Sequence, residues 1–378
     1  MANCDVVHPS ELGPGELRAW ASLQAGAPEL GNPLLGPDFA RLVGELRADA
    51  RVAIWRDGRR AAGFLGFHRT VGGFARPIGA PFSDYHALVS APAGGRIELN
   101  LADAGLQGVR VTGLVDPHGV FSDSLRAVLA HRIDLSAGPE AYLGALWGAS
   151  RNRWRNFRRY SHRLGEALGP LRIEAPDLSR ATFARLMSWK RRQLAATGLH
   201  DFTTSPWATR LFRRLFETSE ADFGGLMIAL YAGERPVAAH FGVRQGDWYH
   251  PWIGAYDPEL AAFSPGIVHQ VMAAQAAAGM GVRIYDLGPR AGHSKSMFAN
   301  RSSVVSQGLI TDGSLPARLA VGSERMLSPE GRLALLGHLR NRWDQISAVE
   351  LGPVGRIAGL ARAAGALNRR IGAWTRPA

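Results

Sequence analysis

The stretch from Leu226 to Leu287 constrains the fold more than any other part of this chain. Three strand-like runs, Leu226 to Tyr231, Pro236 to Val243 and Trp248 to Tyr256, are separated by turns at Gly233-Glu234 and Gly246-Asp247. Turns this short join neighbouring antiparallel strands, so the three runs form a β-meander. A helical run from Pro265 to Ala278 follows, then a strand at Ile284 to Leu287, and Val304 to Ile310 reads as a final strand. The first part of the chain has the same coarse order. Residues 34–50 read as a helix with Phe39, Leu42, Val43 and Leu46 on one face. Val52 to Trp55, a turn at Asp57-Gly58, and Ala61 to Arg69 read as a hairpin. Further strands are expected near Ala87 to Val89, Val109 to Leu114 and His131 to Leu135, and a helix at Gly95 to Ala104. The expected class is therefore α/β with mixed sheets, without a residue-level repeat between the halves.

A length of 378 residues is comfortable for two domains. The expected division is 1–135, 136–315 and a tail at 316–378. The second begins with one long helical stretch from Pro139, which suits a first helical turn, to the stop at Gly169-Pro170. A short strand at Leu171 to Glu174 and helices at 179–196 and 206–219 precede the meander. No run of 18 apolar residues occurs, which excludes a transmembrane helix, and the N-terminus lacks the pattern of a secretory signal. A single cysteine, Cys4, excludes an internal disulfide and a cysteine zinc site. His269 and His293 lack a ligand pattern, so no metal is expected. These features together point to the cytoplasm.

The net charge of +12 calls for an anionic partner. Only Lys190 and Lys295 are lysines among 44 basic residues. A retained ammonium suits a site that needs a compact point charge where a planar guanidinium does not fit; survival by chance in an Arg-biased chain is the alternative. Lys295 follows the strand Ile284 to Gly288 inside the Gly-rich loop PRAGHSKSMF, which favours it for a functional role. Ser264-Pro265-Gly266-Ile267 opens a helix directly after a strand and loop. Bare amides there can face a phosphate, although Ser-Pro-Gly is also ordinary capping chemistry. Arg151, Arg155, Arg158 and Arg159 fall largely on one face of an acid-free helical run. That face suits the phosphate of a lipid- or nucleotide-linked sugar, or RNA, or is simply solvated.

The Arg-rich segment SRNRWRNFRRYSHRL (150–164), the run GERPVAAHFGVRQGDWYHPWIGAYDPELAAFSPG (233–266) and the YDLG…HSKSMF ending together resemble the GNAT-type acyltransferases of cellulose and exopolysaccharide biosynthesis (the CelD/BcsL-like family). These are related to Fem-type aminoacyl transferases. PFSDYHALV (81–89) resembles the family's Asp-Tyr segment. The resemblance spans most of residues 34–310. It implies two tandem GNAT-like domains and acyl transfer from acetyl- or another acyl-coenzyme A to an amine, often of an amino sugar or a lipid-linked polysaccharide precursor. Ordinary GNAT domains carry a Gln/Arg-x-x-Gly-x-Gly/Ala loop for the coenzyme A phosphates, where this chain has AAFSPGIV with one glycine, Gly266. Aminoacyl-tRNA is therefore an alternative donor, and a non-catalytic polyanion-binding protein on the same fold is a third reading.

Acyl transfer needs a base for the amine and a positive group or donor for the oxyanion. Asp286 is a candidate base or acceptor-orienting group, or equally a turn cap before Gly288. Lys295 is a candidate for the oxyanion. His240 points into a cleft or is a satisfied core histidine, and Tyr249 or Tyr256 can protonate the leaving thiolate. Trp248 and Trp252 can stack on a sugar, though packing is commoner for strand tryptophans. Asp84 and Tyr85, with His86, are acceptor contacts or an Asx-capped turn, and Arg155 is a substrate contact. The tail has ten arginines and four acids, with Ile357, Leu360, Ala364, Leu367, Ile371 and Trp374 in one helical stripe. It reads as a packed helix or as a peripheral anchor at the anionic inner-membrane surface. A cyclic dinucleotide effector at its arginines is a further expectation.

Overall fold

The computed structural model describes residues 3–91, 100–121, 125–218, 222–289, 293–326 and 334–360. In chain order these form β1 (Asn3–Val7), α1 (Pro14–Ala25), α2 (Pro37–Leu46), β2 (Ala50–Asp57), β3 (Arg60–Arg69), β4 (Phe74–Pro77), β5 (Val89–Ser90), β6 (Gly108–Leu114), β7 (Arg126–Asp134), α3 (Pro139–Gly148) and α4 (Arg151–Leu168). Then come β8 (Leu171–Glu174), α5 (Arg180–Thr197), α6 (Pro206–Glu217), β9 (Phe223–Ala232), β10 (Arg235–Gln245), β11 (Trp248–Tyr256), α7 (Pro265–Gly279), β12 (Ile284–Pro289), α8 (His293–Phe298), β13 (Arg301–Thr311), α9 (Leu315–Met326) and α10 (Ala334–Val349). No helix among the described residues is long and apolar enough to cross a membrane.

Two compact units result. Unit 1 comprises Met1–Ala130, Gly288–Ala291 and Ser303–Gln345, and unit 2 comprises His131–Leu287, Gly292–Ser302 and Ile346–Ala378. In unit 1 the strands run in the order β1-β2-β3-β4-β6-β13, with β5 on β3. The hairpin expected around Gly58 forms: β2 pairs antiparallel with β3, and Gly58 turns the chain at φ 58°. α2 buries Phe39, Leu42 and Val43, the stripe visible in the sequence. Trp55, Leu65, Phe67, Val109 and Val111 form part of the core behind the sheet. Part of the helix expected at Gly95 to Ala104 lies outside the described residues; Leu101–Ala104 is a short 3-10 turn closed by Gly105 in the left-handed region. The strand expected at Ala87 to Val89 is the two-residue β5.

In unit 2 the order is β7-β12-β11-β10-β9-β8. The meander β9-β10-β11 is antiparallel, and Gly233 and Gly246 turn at φ 56° and 53°. α7 packs one side, burying Val268, Val271, Ala274 and Ala277 against Ile228, Tyr249 and Tyr285. Its alanine-rich face brings the helix close to the sheet. The expected long helix from Pro139 is instead two, α3 and α4. The chain breaks at Ser150, whose backbone is extended. Trp147 then meets Trp154 and Phe157 at ring distances of 5.1 and 5.4 Å, so aromatic contact folds α4 back on α3. Residues 346–360 rest on α5 and α6: Trp207 Nε1 donates to the Val349 carbonyl at 2.9 Å, and His200 lies 3.4 Å from the Glu350 carboxylate. Of the tail stripe, Ile357 and Leu360 are exposed, and the other four residues lie outside the described residues.

Gly242 in β10 has a packing role that differs from that of the turn glycines. A Cβ there would stand 2.1 Å from the His250 carbonyl oxygen, a contact that only backbone movement relieves. At Gly246 a Cβ meets nothing within 4 Å, and only the left-handed backbone resists substitution. Gly242→Ala is therefore expected to cost about 3 kcal/mol or more. Gly246→Ala should cost about 1 kcal/mol. Urea unfolding of the two variants checks the ranking, and equal losses would contradict it.

Candidate functional site

β11 pairs with β10 over its whole length, from Trp248↔Gln245 to Tyr256↔Ala238. Its parallel pairing with β12 covers only Trp248↔Ile284 and Tyr249↔Tyr285. The cause is local. Pro251 has no N–H to give a neighbouring strand, and Trp252 is an extra residue: Gly242 pairs with Pro251 and Phe241 with Ile253. A bulge bends its strand, so β11 leaves β12 and the sheet opens at this point.

At the root of the opening stands Asp286, fully buried. Its carboxylate is 3.4 Å from Arg132 Nε on β7 and 3.7 Å from His250 Nδ1 on β11. The Arg132 guanidinium also stacks 4.6 Å from the Trp248 ring. Three strands are thus tied where the opening starts, and removing one partner from such a buried set typically costs about 3–5 kcal/mol.

The wall beyond the bulge is built from β10, β12 and α7. His240 lies flat on Gly254, where a Cβ would be 2.6 Å from its Cδ2. Its Nδ1 is 2.7 Å from the Tyr285 hydroxyl, and its ring is 4.4 Å from that of His269. Burial, then the nearby His269 and Lys190, hold His240 well below the usual histidine range. His269 is lowered by burial to about 4, against a hydrogen bond with the Ile228 carbonyl at 2.9 Å. Burial pushes the Tyr285 phenol far up, so it keeps its proton. Lys190 reaches in from α5. Its Nζ donates to Gln193 Oε1 at 3.1 Å and to the Gly254 carbonyl at 3.5 Å.

At the mouth, a turn at Pro258–Phe263 leads from β11 to α7. Arg235 clamps this turn through Asp257 at 2.6 Å and Glu259 at 2.8 Å. Ser264 has φ 51° and its side chain does not cap the helix, contrary to the capping role its position suggests. The Tyr160 phenol, lowered by Arg159 and then by Ser264, stands beside it. The Gly266 amide makes no hydrogen bond among the described residues. Gly266 also lets the Tyr256 ring approach, since a Cβ would meet it at 3.4 Å. Arg163 lies over Phe263 at 5.4 Å. From here a groove of about 730 Å³ runs between α4 and α7, lined by Trp154, Arg155, Phe157, Arg163, Met272 and Gln275 among others. Arg151, Arg155, Arg158, Arg159 and Arg163 have no carboxylate partner among the described residues.

The sequence candidates thus divide into groups. Ser264, Pro265, Gly266 and Ile267 start α7, with Tyr256 against them and Arg155 in the adjoining groove. His240 lines the opening, Asp286 is sealed at its root, and Trp252 is the bulged residue, its ring edge-on to Phe212 at 6.4 Å. Lys295 is half-buried on the short helix α8. Asp84 and Tyr85 belong to unit 1, where the Tyr85 side chain is fully buried in the core. Burial pushes the Cys4 thiol up to about 11, which leaves it protonated. Sequence reasoning missed Lys190, Tyr285 and Gly254 as members of the site. The rarity of lysine was a usable signal for Lys190, and the other two carried none.

Comparison with known proteins bears on this geometry. Residues 151–296 match the family model described as an acetyltransferase (GNAT) domain, which covers α4 through α8 and identifies an N-acyltransferase domain. No curated protein matches the sequence. Among solved structures, FemX is similar at 11% identity and a TM-score of 0.54, over 84% of this chain and 99% of that one. A conserved protein of unknown function from Bacteroides thetaiotaomicron is similar at 11% identity and 0.50, over 78% and 97%. A tandem GNAT protein from the clavulanic acid biosynthesis pathway gives 10% and 0.47, over 83% and 99%. At these identities the likeness is one of fold.

His269 has a measurable consequence. In the unfolded chain it takes a proton near its ordinary value of 6.5; in the fold it does so only at about 4. Between those values the unfolded state binds more protons, so stability is full above pH 6.5 and falls as pH drops toward 4. The loss approaches about 3 kcal/mol, and His240, lowered for the same reason, adds to it. Urea midpoints across this range should fall less steeply in His269→Gln; an unchanged slope would show that His269 is not buried neutral.

Proposed function

We propose that the GNAT domain of this chain moves an acyl group from an acyl-coenzyme A to a primary amine, and that the acceptor is an amino sugar of a cell-surface polysaccharide precursor. The observation that carries this reading is the opening between β11 and β12, with the unbonded Gly266 amide of α7 at its mouth. A thioester is narrow enough to lie along the uncovered edge of β11, and a diphosphate suits the Gly266 amide with Arg159 and Arg163 beside it, while the Ile267 amide already donates to the Ser264 carbonyl at 3.0 Å. The amine then attacks the carbonyl inside the opening. Peptide dipoles stand where the oxyanion develops, and the thiolate departs. Cys4 is protonated and lies in unit 1, so direct transfer needs no acyl-enzyme. Asp286 serves in this reading by holding β7, β11 and β12 in place. Exposed Ile357 and Leu360 beside a basic tail support residence at an anionic membrane surface, where lipid-linked sugars reside.

A second reading keeps the chemistry and changes the donor to aminoacyl-tRNA. Its support is the acid-free arginine face of α4, which a polyanion would neutralise. Calorimetry separates the two. Acetyl-coenzyme A is expected to bind the native chain, and Gly266→Trp, which fills the space before α7, should weaken it by at least about tenfold, or 1.4 kcal/mol, with near-ultraviolet circular dichroism unchanged. Salt-sensitive binding of tRNA without binding of acetyl-coenzyme A would overturn the first reading and favour the second.

A further inference from the structure

We propose that Lys190 takes the proton from the attacking amine and hands it to the departing thiolate. The inference rests on the acyl-coenzyme A reading, and it concerns a residue that neither the domain match nor the sequence motifs single out as catalytic.

Position comes first. α5 packs on β11 and carries Lys190 to the Gly254 carbonyl, two residues past the bulged Trp252. That is the part of β11 that β12 leaves uncovered. The partners come second. Lys190 meets only two neutral oxygens, Gln193 Oε1 and the Gly254 carbonyl, and no carboxylate among the described residues. An ammonium has three N–H groups and needs three acceptors. A neutral amine has two, which these oxygens satisfy, and it keeps a lone pair for an incoming proton. Three arginines of unit 2 show the contrast, since Arg235, Arg283 and Arg301 each hold a carboxylate within 3 Å, while the arginines of α4 that lack one are exposed or half-buried and always charged.

The surroundings favour the neutral form. His240 on β10 turns to His269 on α7, the face opposite α5, whose Phe183 packs on Phe241; Tyr285 on β12 and Tyr256 on β11 are the other titratable groups of the wall. None is an acid that would hold a proton on Lys190. On α5 itself Arg191 turns away to Thr203 at 3.2 Å. Burial lowers the lysine from its ordinary value. His240 is a poorer acceptor, because Tyr285 occupies its Nδ1 and Gly254 covers the ring. Arginine, which supplies 42 of the 44 basic residues of the chain, stays protonated in proteins; lysine is the basic side chain that burial can discharge.

The step balances without another reactant. As the amine nitrogen bonds the thioester carbonyl, its proton passes to Lys190 Nζ. The tetrahedral intermediate collapses, the carbon–sulfur bond breaks, and Nζ returns the proton to sulfur. The amide and the free thiol leave, and the lysine is neutral again.

The scarcity of lysine makes the test direct. Reductive methylation with ¹³C-formaldehyde labels Lys190, Lys295 and the α-amino group only, and Lys295→Arg assigns the signals. The Lys190 resonance is expected to titrate below that of free dimethyllysine measured alongside, since burial lowers it; titration at or above that reference overturns the proposal. Acetylation of glucosamine by acetyl-coenzyme A, followed by mass spectrometry, supplies the second readout. Lys190→Ala and Lys190→Arg should both slow it by about 100-fold or more, with calorimetric affinity for acetyl-coenzyme A unchanged. Trimethylamine, which accepts a proton and forms no amide, should restore part of the Lys190→Ala rate. An Lys190→Arg enzyme within about tenfold of the native rate would show that charge alone suffices and would overturn the proton-transfer role. A native chain that binds no acetyl-coenzyme A counts against the donor reading, while the resonance still decides whether Lys190 is neutral.

Discussion

The loss of pairing between β11 and β12 governs everything that follows in unit 2. Two strands that start as parallel neighbours normally continue to pair, since each unmade backbone bond in a dry interior costs about 1–3 kcal/mol. Here Pro251 removes a donor and the extra Trp252 bends the strand, so β11 stays with β10 and abandons β12. Gly242 makes this possible by letting the His250 carbonyl approach its Cα. The opening frees the edge of β11, exposes the Gly254 carbonyl to Lys190, and sends the chain through the Asp257 turn to start α7 at its mouth.

Charge is distributed around that opening in two ways. At the root, Asp286 is matched by Arg132 and His250, and the set is sealed from water. Such a cluster positions strands and has little capacity left for a ligand. Along α4, Arg151, Arg155, Arg158, Arg159 and Arg163 stand without carboxylates among the described residues, and Lys190 has only neutral partners. An uncompensated cation in a half-dry place is stable when it is discharged or when an anion joins it. The same physics therefore separates the residues that hold the fold from those available to chemistry.

Much of the fold was legible because its signals are local. Gly58, Gly233 and Gly246 turn at positive φ, a backbone conformation that favours glycine on local steric grounds. The stripe of α2 and the start of α7 were readable for similar reasons. The single helix expected from Pro139 was not correct, because Gly148-Ala149-Ser150 is only weakly helix-breaking. What completes the break is contact between Trp147, Trp154 and Phe157. In the site, the Ser264 to Ile267 segment was visible as a helix start, though its serine side chain does not cap the helix amides.

The two lysines mark the boundary of what a sequence contains. By itself it determined that an ammonium was retained at 190 and at 295, that a meander and a helix follow one another, and that arginines crowd one segment. Residue type and chain-neighbour geometry suffice for such statements. Which carbonyl Lys190 meets, that Asp286 is sealed behind an arginine from β7, and that His240 rests on Gly254 were decided only by tertiary structure. Each depends on strands far apart in sequence lying a few ångströms apart, and on how much water that contact removes. Exposure and local charge set what a titratable side chain can do, and neither exists until the chain has folded.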